Sequence, residues 1–316
     1  MDKLSLVIIN SPTATGKTRL AIELAHAFGG EIVSADSLQV YRYLDIGTAK
    51  PTVAERNKVK HHLIDVVDPD EEFNAAVFTG QAQKIIEKVN ASGKPIFVVG
   101  GTGLYIRALT RGIIETPKVD EKIRNYYRGL RDMHGKEYIY DILQKRDKEA
   151  ALRINPNDAV RVIRALEVLE QTGESIVTIQ KKHSFSRSNY NTYKIGLKVE
   201  RSALKKRIDA RTDQMIAAGL LDEVQNLLAR GYGAWLKPLQ SLGYRQVIDF
   251  LNGKQHWERT VELIKRETWL YAKRQMTWFA ADQEINWYPA ELSAEIAKKV
   301  DAFLKEFPAG VPCNIT

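Results

Sequence analysis

Short apolar segments alternate with stretches of helical periodicity along most of this chain. Four segments rich in Val and Ile are too short for buried helices and predict strands at residues 4–9, 31–35, 95–99 and 193–199. Strands that alternate with helices build parallel sheets covered by helices. The pattern therefore predicts an α/β fold with a parallel sheet flanked by helices.

The interval between the third and fourth predicted strands has helical periodicity and almost no strand pattern. We interpret residues 115–189 as an all-helical subdomain that is inserted into the chain. The two flanking parts, residues 1–114 and 190–316, are expected to form one catalytic core.

Helical spacing of apolar residues predicts three longer helices. The first covers about residues 159–172, with Asn157-Asp158 as its N-terminal cap and Gly173 as its stop. The other two cover residues 203–230 and about 260–281 and follow the fourth strand. The apolar face expected for the first helix consists of Val160, Ile163, Leu166, Val168 and Leu169.

The charge balance favours an anionic partner. The chain has 47 Lys and Arg against 39 Asp and Glu, a net charge of +8 and a pI near 9.3. Such an excess is typical of nucleic-acid-binding proteins, although it also promotes solubility. The single cysteine, Cys313, excludes a disulfide framework and suits a reducing compartment. No apolar run approaches a membrane span, so we expect a cytoplasmic protein that does not contact membranes.

A phosphate-binding pattern connects the first predicted strand to the following helix. It reads Ser-Pro-Thr-Ala-Thr-Gly-Lys-Thr at residues 11–18, with Ser11 where the common pattern has glycine. A strand that ends before a helix directs several backbone N–H groups at one point, and Lys17 adds a positive charge. The Thr18 hydroxyl can hold a Mg²⁺ ion that bridges two phosphates. The segment predicts a P-loop NTPase-like fold and a phosphorylated ligand, without identifying ATP.

Two other turns follow strands at the edge of the sheet where ligands of parallel sheets bind. Asp36, after the second strand, is a candidate general base, a magnesium-associated carboxylate or a cap of the following turn. Gly100, after the third strand, stands where an ATPase typically has an acidic residue. The glycines around Thr102 allow either close approach to a ligand or a tight turn packed for its own sake.

Other titratable residues leave two interpretations open. Arg211 can donate paired hydrogen bonds to a diphosphate, or it can lie on a solvated helix face. The adjacent His61 and His62 point apart along an extended chain, so we interpret them as structural or hydrogen-bonding residues and not as metal ligands.

Taken together, these segments resemble the bacterial tRNA dimethylallyltransferase family, also called tRNA isopentenyltransferases. The phosphate loop is shared by many folds, whereas the ordered set of motifs is specific to the family. Two positions depart from the family pattern, since Ser11 replaces a glycine and Val160 replaces a polar glutamine. The resemblance covers nearly the whole chain and lies in residues 12–18, 34–39, 45–51, 61–65, 100–105, 153–169 and 271–279.

The resemblance implies a specific reaction. A dimethylallyl group would move from dimethylallyl diphosphate to the exocyclic amine of the adenosine 3′-adjacent to the anticodon in tRNA, and pyrophosphate would be released. It implies that Asp36 is the base and that Lys17, Thr18 and Arg211 stabilise the leaving group. Thr18 would hold the Mg²⁺ cofactor. We expect a monomer that binds the anticodon stem-loop.

The resemblance also implies two sets of binding residues. Contacts to the diphosphate are expected from Ser11, Pro12, Thr13, Ala14, Thr15, Gly16, Lys17, Thr18 and Arg211. Contacts to tRNA are expected from Asp36, Ser37, Leu38, Gln39, Thr102, Arg124, Arg161, Val162, Ile163, Arg164, Gly243, Tyr244 and Arg245.

Three alternatives differ from this prediction in the acceptor or in the chemistry. An adenylate isopentenyltransferase would act on free AMP, ADP or ATP and would not need a broad basic insertion. A small-molecule P-loop kinase would need an acid where Gly100 stands. A non-catalytic RNA-binding protein would leave the diphosphate loop beside Asp36 without a use.

Overall fold

The computed structural model describes residues 3–113, 117–118, 120–182 and 190–310 of the 316-residue chain. The chain divides into two compact units. The first contains residues 1–111 and 188–316, and the second contains residues 112–187. The boundaries predicted from the sequence, 114/115 and 189/190, fall at residues outside the described ranges, so their placement stays a prediction.

A parallel sheet forms the centre of the first unit and confirms the predicted fold class. Its strands lie in the spatial order β3-β2-β4-β1-β5-β6, and every neighbouring pair is parallel. The bounds are β1 (Ser5–Asn10), β2 (Glu31–Ser34), β3 (His61–His62), β4 (Ile96–Gly100), β5 (Asn191–Lys198) and β6 (Ile285–Pro289). Four of these strands were predicted, and the two at the edges of the sheet were not.

The missed edge strands lack the signal that identifies the central ones. β3 is only two residues long, and β6 has the sequence Ile-Asn-Trp-Tyr-Pro, in which only Ile285 is buried. Central strands are covered on both faces and therefore form continuous apolar runs, whereas edge strands need no such run.

Fourteen helices are present in the described residues. They are α1 (Lys17–Ala27), α2 (Val53–Lys58), α3 (Ala75–Ala91), α4 (Gly103–Arg111), α5 (Glu121–His134), α6 (Lys136–Arg146), α7 (Lys148–Arg153), α8 (Ala159–Thr172), α9 (Ile176–Lys182), α10 (Arg201–Ala217), α11 (Leu220–Ala229), α12 (Tyr244–Leu251), α13 (Trp257–Ala280) and α14 (Ser293–Glu306). None of the described helices combines the length and the apolar character needed to cross a bilayer.

The helix predicted over residues 203–230 is wrong as a single element. Two helices, α10 and α11, occupy this stretch and are separated at Gly219, whose φ of +97° belongs to the left-handed region. Glycine adopts this conformation without the steric cost of a side chain, so it interrupts an otherwise continuous apolar pattern.

Helices α1 and α14 pack against the sheet in the core of the first unit. Apolar residues of α1, including Leu20 and Leu24, and Val300 and Phe303 of α14 join Val7 of β1 in one buried cluster. This packing holds the end of β1 and the start of α1 in place, which is where the phosphate-binding pattern lies.

The second unit is an all-helical bundle made of α5 to α9. Its core includes Tyr127, Leu143, Val162 and Leu166. The helix predicted over residues 159–172 is confirmed as α8, with the Asp158 carboxylate capping its N-terminus and Gly173 in a left-handed conformation at its end. The apolar face was wrong at one position, because Val160 is exposed.

Candidate active site

The phosphate loop has the backbone shape that its sequence predicts. β1 ends at Asn10 and α1 begins at Lys17, so the loop delivers its last N–H groups to the N-terminus of a helix. Gly16 caps α1 with a φ of +96°, and Ala14 also adopts a positive φ of 63°. Because the first N–H groups of a helix have no partner within it, this end can bind an anion.

Two hydroxyls of the loop form hydrogen bonds within the protein, and the predicted contact of Ser11 and Thr15 with the diphosphate stays a prediction. The Ser11 hydroxyl is buried and accepts a hydrogen bond from the Leu197 N–H of β5 at 2.7 Å. The Thr15 hydroxyl is also buried and donates to the Pro12 carbonyl at 2.9 Å. Both side chains therefore shape the loop, and only backbone groups of these residues can reach a ligand.

Lys17 and Arg211 line a cleft of about 490 Å³ next to the loop. Burial and the charge of Arg211, together opposed by Asp36, lower the pKa of Lys17 to about 8. Burial also lowers the pKa of Arg211, again opposed by Asp36. Among the described residues, no carboxylate lies at ion-pair distance from either cation. The arrangement concentrates positive charge without neutralising it, which favours an anionic ligand.

Asp36 both caps its turn and faces the same cleft, so two of the roles predicted for it are compatible. Its Oδ1 atom accepts the N–H groups of Leu38 at 2.9 Å and Gln39 at 3.3 Å. Its Oδ2 atom has no hydrogen bond from the described residues. The turn therefore holds the carboxylate in one orientation while one oxygen stays available to a substrate.

The glycine-rich turn after β4 packs against protein, which decides between the two interpretations of its glycines. A Cβ atom on Gly100 would lie 2.1 Å from the Ala35 carbonyl oxygen, and one on Gly101 would lie 2.4 Å from Gln275 Nε2. On Gly103 it would lie 2.0 Å from Trp278 Nε1. At Gly100 the clash is with backbone, so no acidic side chain would fit there, whereas Gly101 and Gly103 pack against side chains.

The residues after Asp36 form a small network with this turn. Thr102 Oγ1 accepts the Ser37 N–H at 3.2 Å. Gln39 Nε2 lies 3.4 Å from the carbonyl oxygens of both Thr48 and Ala49. Ser37, Leu38 and Gln39 line the cleft, so their predicted contact with tRNA stays a prediction that the geometry permits.

The predicted tRNA residues of α12 differ from one another. Gly243 and Arg245 line the cleft, and Arg245 pairs with Glu267 at 2.7 Å. Tyr244 is fully buried and donates its hydroxyl to Glu223 at 2.6 Å, so its side chain is not accessible and its predicted contact with tRNA stays a prediction for the backbone. The same Tyr244 ring explains why residue 47 is glycine, because a Cβ atom on Gly47 would lie 2.6 Å from the ring.

Glu223 has a positioning role that its sequence context did not suggest. Its carboxylate accepts three successive backbone N–H groups, from Asp45 at 2.9 Å, Ile46 at 2.7 Å and Gly47 at 3.1 Å. Successive N–H groups of this kind form an anion-binding concavity. The carboxylate thereby holds one wall of the cleft. An acidic residue in the first turn of α11 suggested only a favourable interaction with the helix dipole.

The predicted tRNA residues of the insertion form part of its own structure. Val162 and Ile163 have side chains buried in the core of the bundle, so their predicted contact with tRNA stays a prediction for the backbone. Arg124 and Arg164 pair with the fully buried Glu167 at 3.0 and 3.1 Å. Arg161 is exposed and, among the described residues, its ion pair is with Asp158, so it is the member of this set that is most accessible to RNA.

No cluster of three His, Cys, Asp or Glu side chains in the described part of the chain could hold a metal. His61 and His62 have the expected hydrogen-bonding roles, to the Val59 carbonyl and to Glu31, both at 2.7 Å. Thr18 and Asp36 line one cleft, and no described residue forms a hydrogen bond with the Thr18 hydroxyl. A hydroxyl and a carboxylate are the hard oxygen ligands that suit Mg²⁺ when phosphate and water complete its shell.

Comparisons with known proteins agree with this geometry. The tRNA dimethylallyltransferase 2 of Syntrophus aciditrophicus is 51% identical over 276 residues, covering 87% of this chain and 89% of that protein. The corresponding enzyme of Geotalea uraniireducens is 49% identical over 275 residues, with the same coverage.

Solved structures show the same fold. The full-length tRNA isopentenylpyrophosphate transferase of Bacillus halodurans is 38% identical with a TM-score of 0.71, over 96% of this chain and 98% of that one. A eukaryotic dimethylallyltransferase acting on tRNA is 27% identical with a TM-score of 0.82, over 97% and 81%. The sequence model of the IPP transferase family matches residues 39–282. This chain therefore belongs to the IPP transferase family.

Proposed function

We propose that this protein transfers the dimethylallyl group of dimethylallyl diphosphate to the exocyclic amine of the adenosine 3′-adjacent to the anticodon in tRNA. Pyrophosphate is the second product, and the enzyme acts as a cytoplasmic monomer. The observation that carries the proposal is the pair of cations, Lys17 and Arg211, that lack a carboxylate partner among the described residues and share one cleft with Asp36.

The two cations act on the leaving group. As the bond between the allylic carbon and the bridging oxygen breaks, the electron pair passes to the pyrophosphate. Lys17, Arg211 and the N–H groups at the start of α1 meet this growing negative charge. Because they are already in place, they stabilise the transition state without reorganising.

Asp36 acts on the acceptor. The adenine amine is a weak nucleophile, since its lone pair is delocalised into the ring. As the carbon–nitrogen bond forms, the nitrogen loses a proton to Asp36 Oδ2, while Oδ1 stays bound to the turn. The adenosine must leave its stack to reach this carboxylate.

Mg²⁺ is part of this proposal. The Thr18 hydroxyl would supply an oxygen to the ion at the cleft. When bound, the ion neutralises charge on the diphosphate and so makes it a better leaving group.

Two alternative activities are less consistent with the chain. The compared relatives are named for tRNA, which argues against a free adenine nucleotide as acceptor. A phosphoryl-transferring kinase typically places an acidic residue after β4, and Gly100 has no room for one.

The experiment combines the full-length protein, Mg²⁺ and dimethylallyl diphosphate with unmodified tRNA, AMP or a small-molecule acceptor with ATP. Mass spectrometry should detect a five-carbon addition to tRNA only. The variant Asp36→Asn keeps the capping oxygen and loses the base, so it should lower the transfer rate by about two to four orders of magnitude without weakening tRNA binding. Unmodified tRNA after incubation with the wild-type enzyme would refute the proposal.

A further inference from the structure

Gln275 of α13 links the two turns that enclose the phosphate site. Its side chain is buried, with 6% exposure. Its Oε1 atom accepts the Thr13 N–H at 2.9 Å, and its Nε2 atom donates to the Gly101 carbonyl at 2.9 Å. One amide therefore joins the loop after β1 to the turn after β4.

There is little free space around the Gln275 amide. A Cβ atom on Gly101 would lie 2.4 Å from Gln275 Nε2 and 3.9 Å from Lys17 Nζ. The amide and the lysine thus both approach the same short piece of backbone. Residues Asn10 and Gly100, which end β1 and β4, are direct neighbours in the sheet, so the link spans the gap that opens where the two strands end.

A third contact extends the link to Tyr271, one helical turn earlier on α13. The Tyr271 side chain lines the cleft close to Gln275. Burial and the nearby Asp36 charge raise the pKa of Tyr271, and interactions with Arg274 and Gln275 partly oppose the shift. The same glutamine therefore contacts the phosphate loop, the glycine turn and a side chain close to the proposed base.

Thr13 follows Pro12, which has no N–H group, so its N–H is the first donor of the phosphate loop after Ser11. Gln275 uses this donor, and the later N–H groups stay available to an anion. Electrostatic stabilisation depends on donors that are fixed before the charge develops. A displacement of the loop of about 1 Å can lower a rate by two orders of magnitude.

We propose that Gln275 is a positioning residue for the diphosphate, because it holds the phosphate loop and the Gly101 turn at a fixed separation on either side of Lys17. The identity of the natural ligand rests on the proposed function. The positioning itself concerns a diphosphate group and can be measured without prenyl transfer.

The variant Gln275→Met keeps the length and volume of the side chain and removes its hydrogen bonds to Thr13 and Gly101. Gln255→Met is the matched control. Gln255 also bridges two elements, with its Nε2 atom donating to the Gln246 carbonyl at 3.1 Å and to the Thr260 hydroxyl at 2.9 Å, but it does not line the cleft. Both variants lose hydrogen bonds of a partly or fully buried amide, so both should lower Tm to a similar degree.

Calorimetry with inorganic pyrophosphate and Mg²⁺ separates the two roles in the full-length protein. Gln275→Met should weaken pyrophosphate binding about 10- to 100-fold and raise KM for dimethylallyl diphosphate, with an unchanged Kd for tRNA. Gln255→Met should leave all three values at those of the wild type. If the two variants weaken pyrophosphate equally, or if neither does, the positioning role is refuted.

A second variant covers the case in which Gln275→Met does not fold. In Gly101→Ala the new Cβ meets the flexible end of the Gln275 side chain, so the amide is displaced without a backbone clash. Pyrophosphate binding should weaken here as well, and wild-type affinity would overturn the proposal. Loss of prenyl transfer to tRNA by the wild-type enzyme, with the dependence on Gln275 intact, would instead refute only the proposed function.

Discussion

Partly buried cations have opposite surroundings in the two units of this molecule. In the second unit, Arg124 and Arg164 both pair with Glu167, a carboxylate with no exposed surface. In the first unit, Lys17 and Arg211 lie in the cleft with no carboxylate at ion-pair distance among the described residues. All four side chains are basic, but among the described residues only the two in the second unit pair with a carboxylate.

This difference distinguishes cations that stabilise the fold from cations that are available to bind an anionic ligand. A buried charge costs several kcal/mol unless a partner compensates for the lost hydration. Glu167 provides that compensation inside the insertion. At the cleft the cost is retained, and in the proposed function an incoming diphosphate supplies the missing negative charge. The lowered pKa of Lys17 is the sign of this uncompensated cost.

Arg211→Ala tests the cleft side of this comparison and has the largest expected effect. The transfer rate should fall by about 10²- to 10³-fold, because one donor to the leaving group is lost. Tm should stay equal or rise, since an uncompensated charge is removed. Lys205→Ala, an exposed position on the same helix, is the control and should change neither value. A large decrease in Tm for Arg211→Ala would show that this arginine stabilises the fold.

Glu167→Ala tests the insertion side. The free energy of unfolding of the bundle should fall by about 3 kcal/mol, because two arginines and the Asp120 N–H lose a buried partner. Hydrogen exchange at the amides of α5 and α8 measures this loss. Glu174→Ala breaks an exposed pair with Lys182 and should cost about 0.5 kcal/mol or less. Equal costs for the two variants would contradict the comparison.

Glu31 extends the comparison to a carboxylate with a full set of partners. Burial acts to raise its pKa, but hydrogen bonds from Lys94 and His62 and the charge of Lys60 lower it to about 2. Because the pKa in the folded state is below the ordinary value of 4.5, the ionised carboxylate contributes its full stabilisation at pH values above 4.5. The contribution is lost as the pH falls toward 2.

Glu31→Gln should therefore lower the free energy of unfolding by about 2 kcal/mol at pH 7, with the difference disappearing near pH 2. Urea unfolding at several pH values measures this dependence. Glu23→Gln, in an exposed pair with Arg19, is the control and should show little pH-dependent difference. A pH-independent cost for Glu31→Gln would rule out the ionic contribution.

The smallest effect is expected for Arg161 and Arg164 of α8. Both were expected to contact phosphates, but only Arg161 is exposed, whereas Arg164 pairs with Glu167 and donates to the Pro117 carbonyl at 2.9 Å. Arg161→Ala should weaken tRNA binding several-fold and reduce the slope of log K against log salt by about 0.7–0.9. Arg164→Ala should mainly reduce stability. Salt titrations that give the same slope for wild type and Arg161→Ala would exclude a phosphate contact.

Local patterns explain most of the successful predictions. The central strands are continuous apolar runs, and α8 has an Asp158 cap, an apolar periodicity and a terminal glycine within one short stretch. The failures have a different origin. The positive φ of Gly219 separates α10 from α11, which the apolar pattern does not show. Val160 fits the apolar periodicity of α8, although its side chain is exposed. Edge strand β6 needed a partner, β5, that periodicity cannot identify.

The sequence by itself determined the α/β fold, the phosphate loop and the family, because these depend on residues that are close together in the chain. The tertiary structure decided which cations are compensated, why Gly100 excludes an acid and that Gln275 holds the loop. Thr13 and Gln275 are separated by 262 positions, and their contact exists only because the sheet and α13 bring them together. Hydration costs and close packing depend on such neighbours in space, which a linear pattern does not specify.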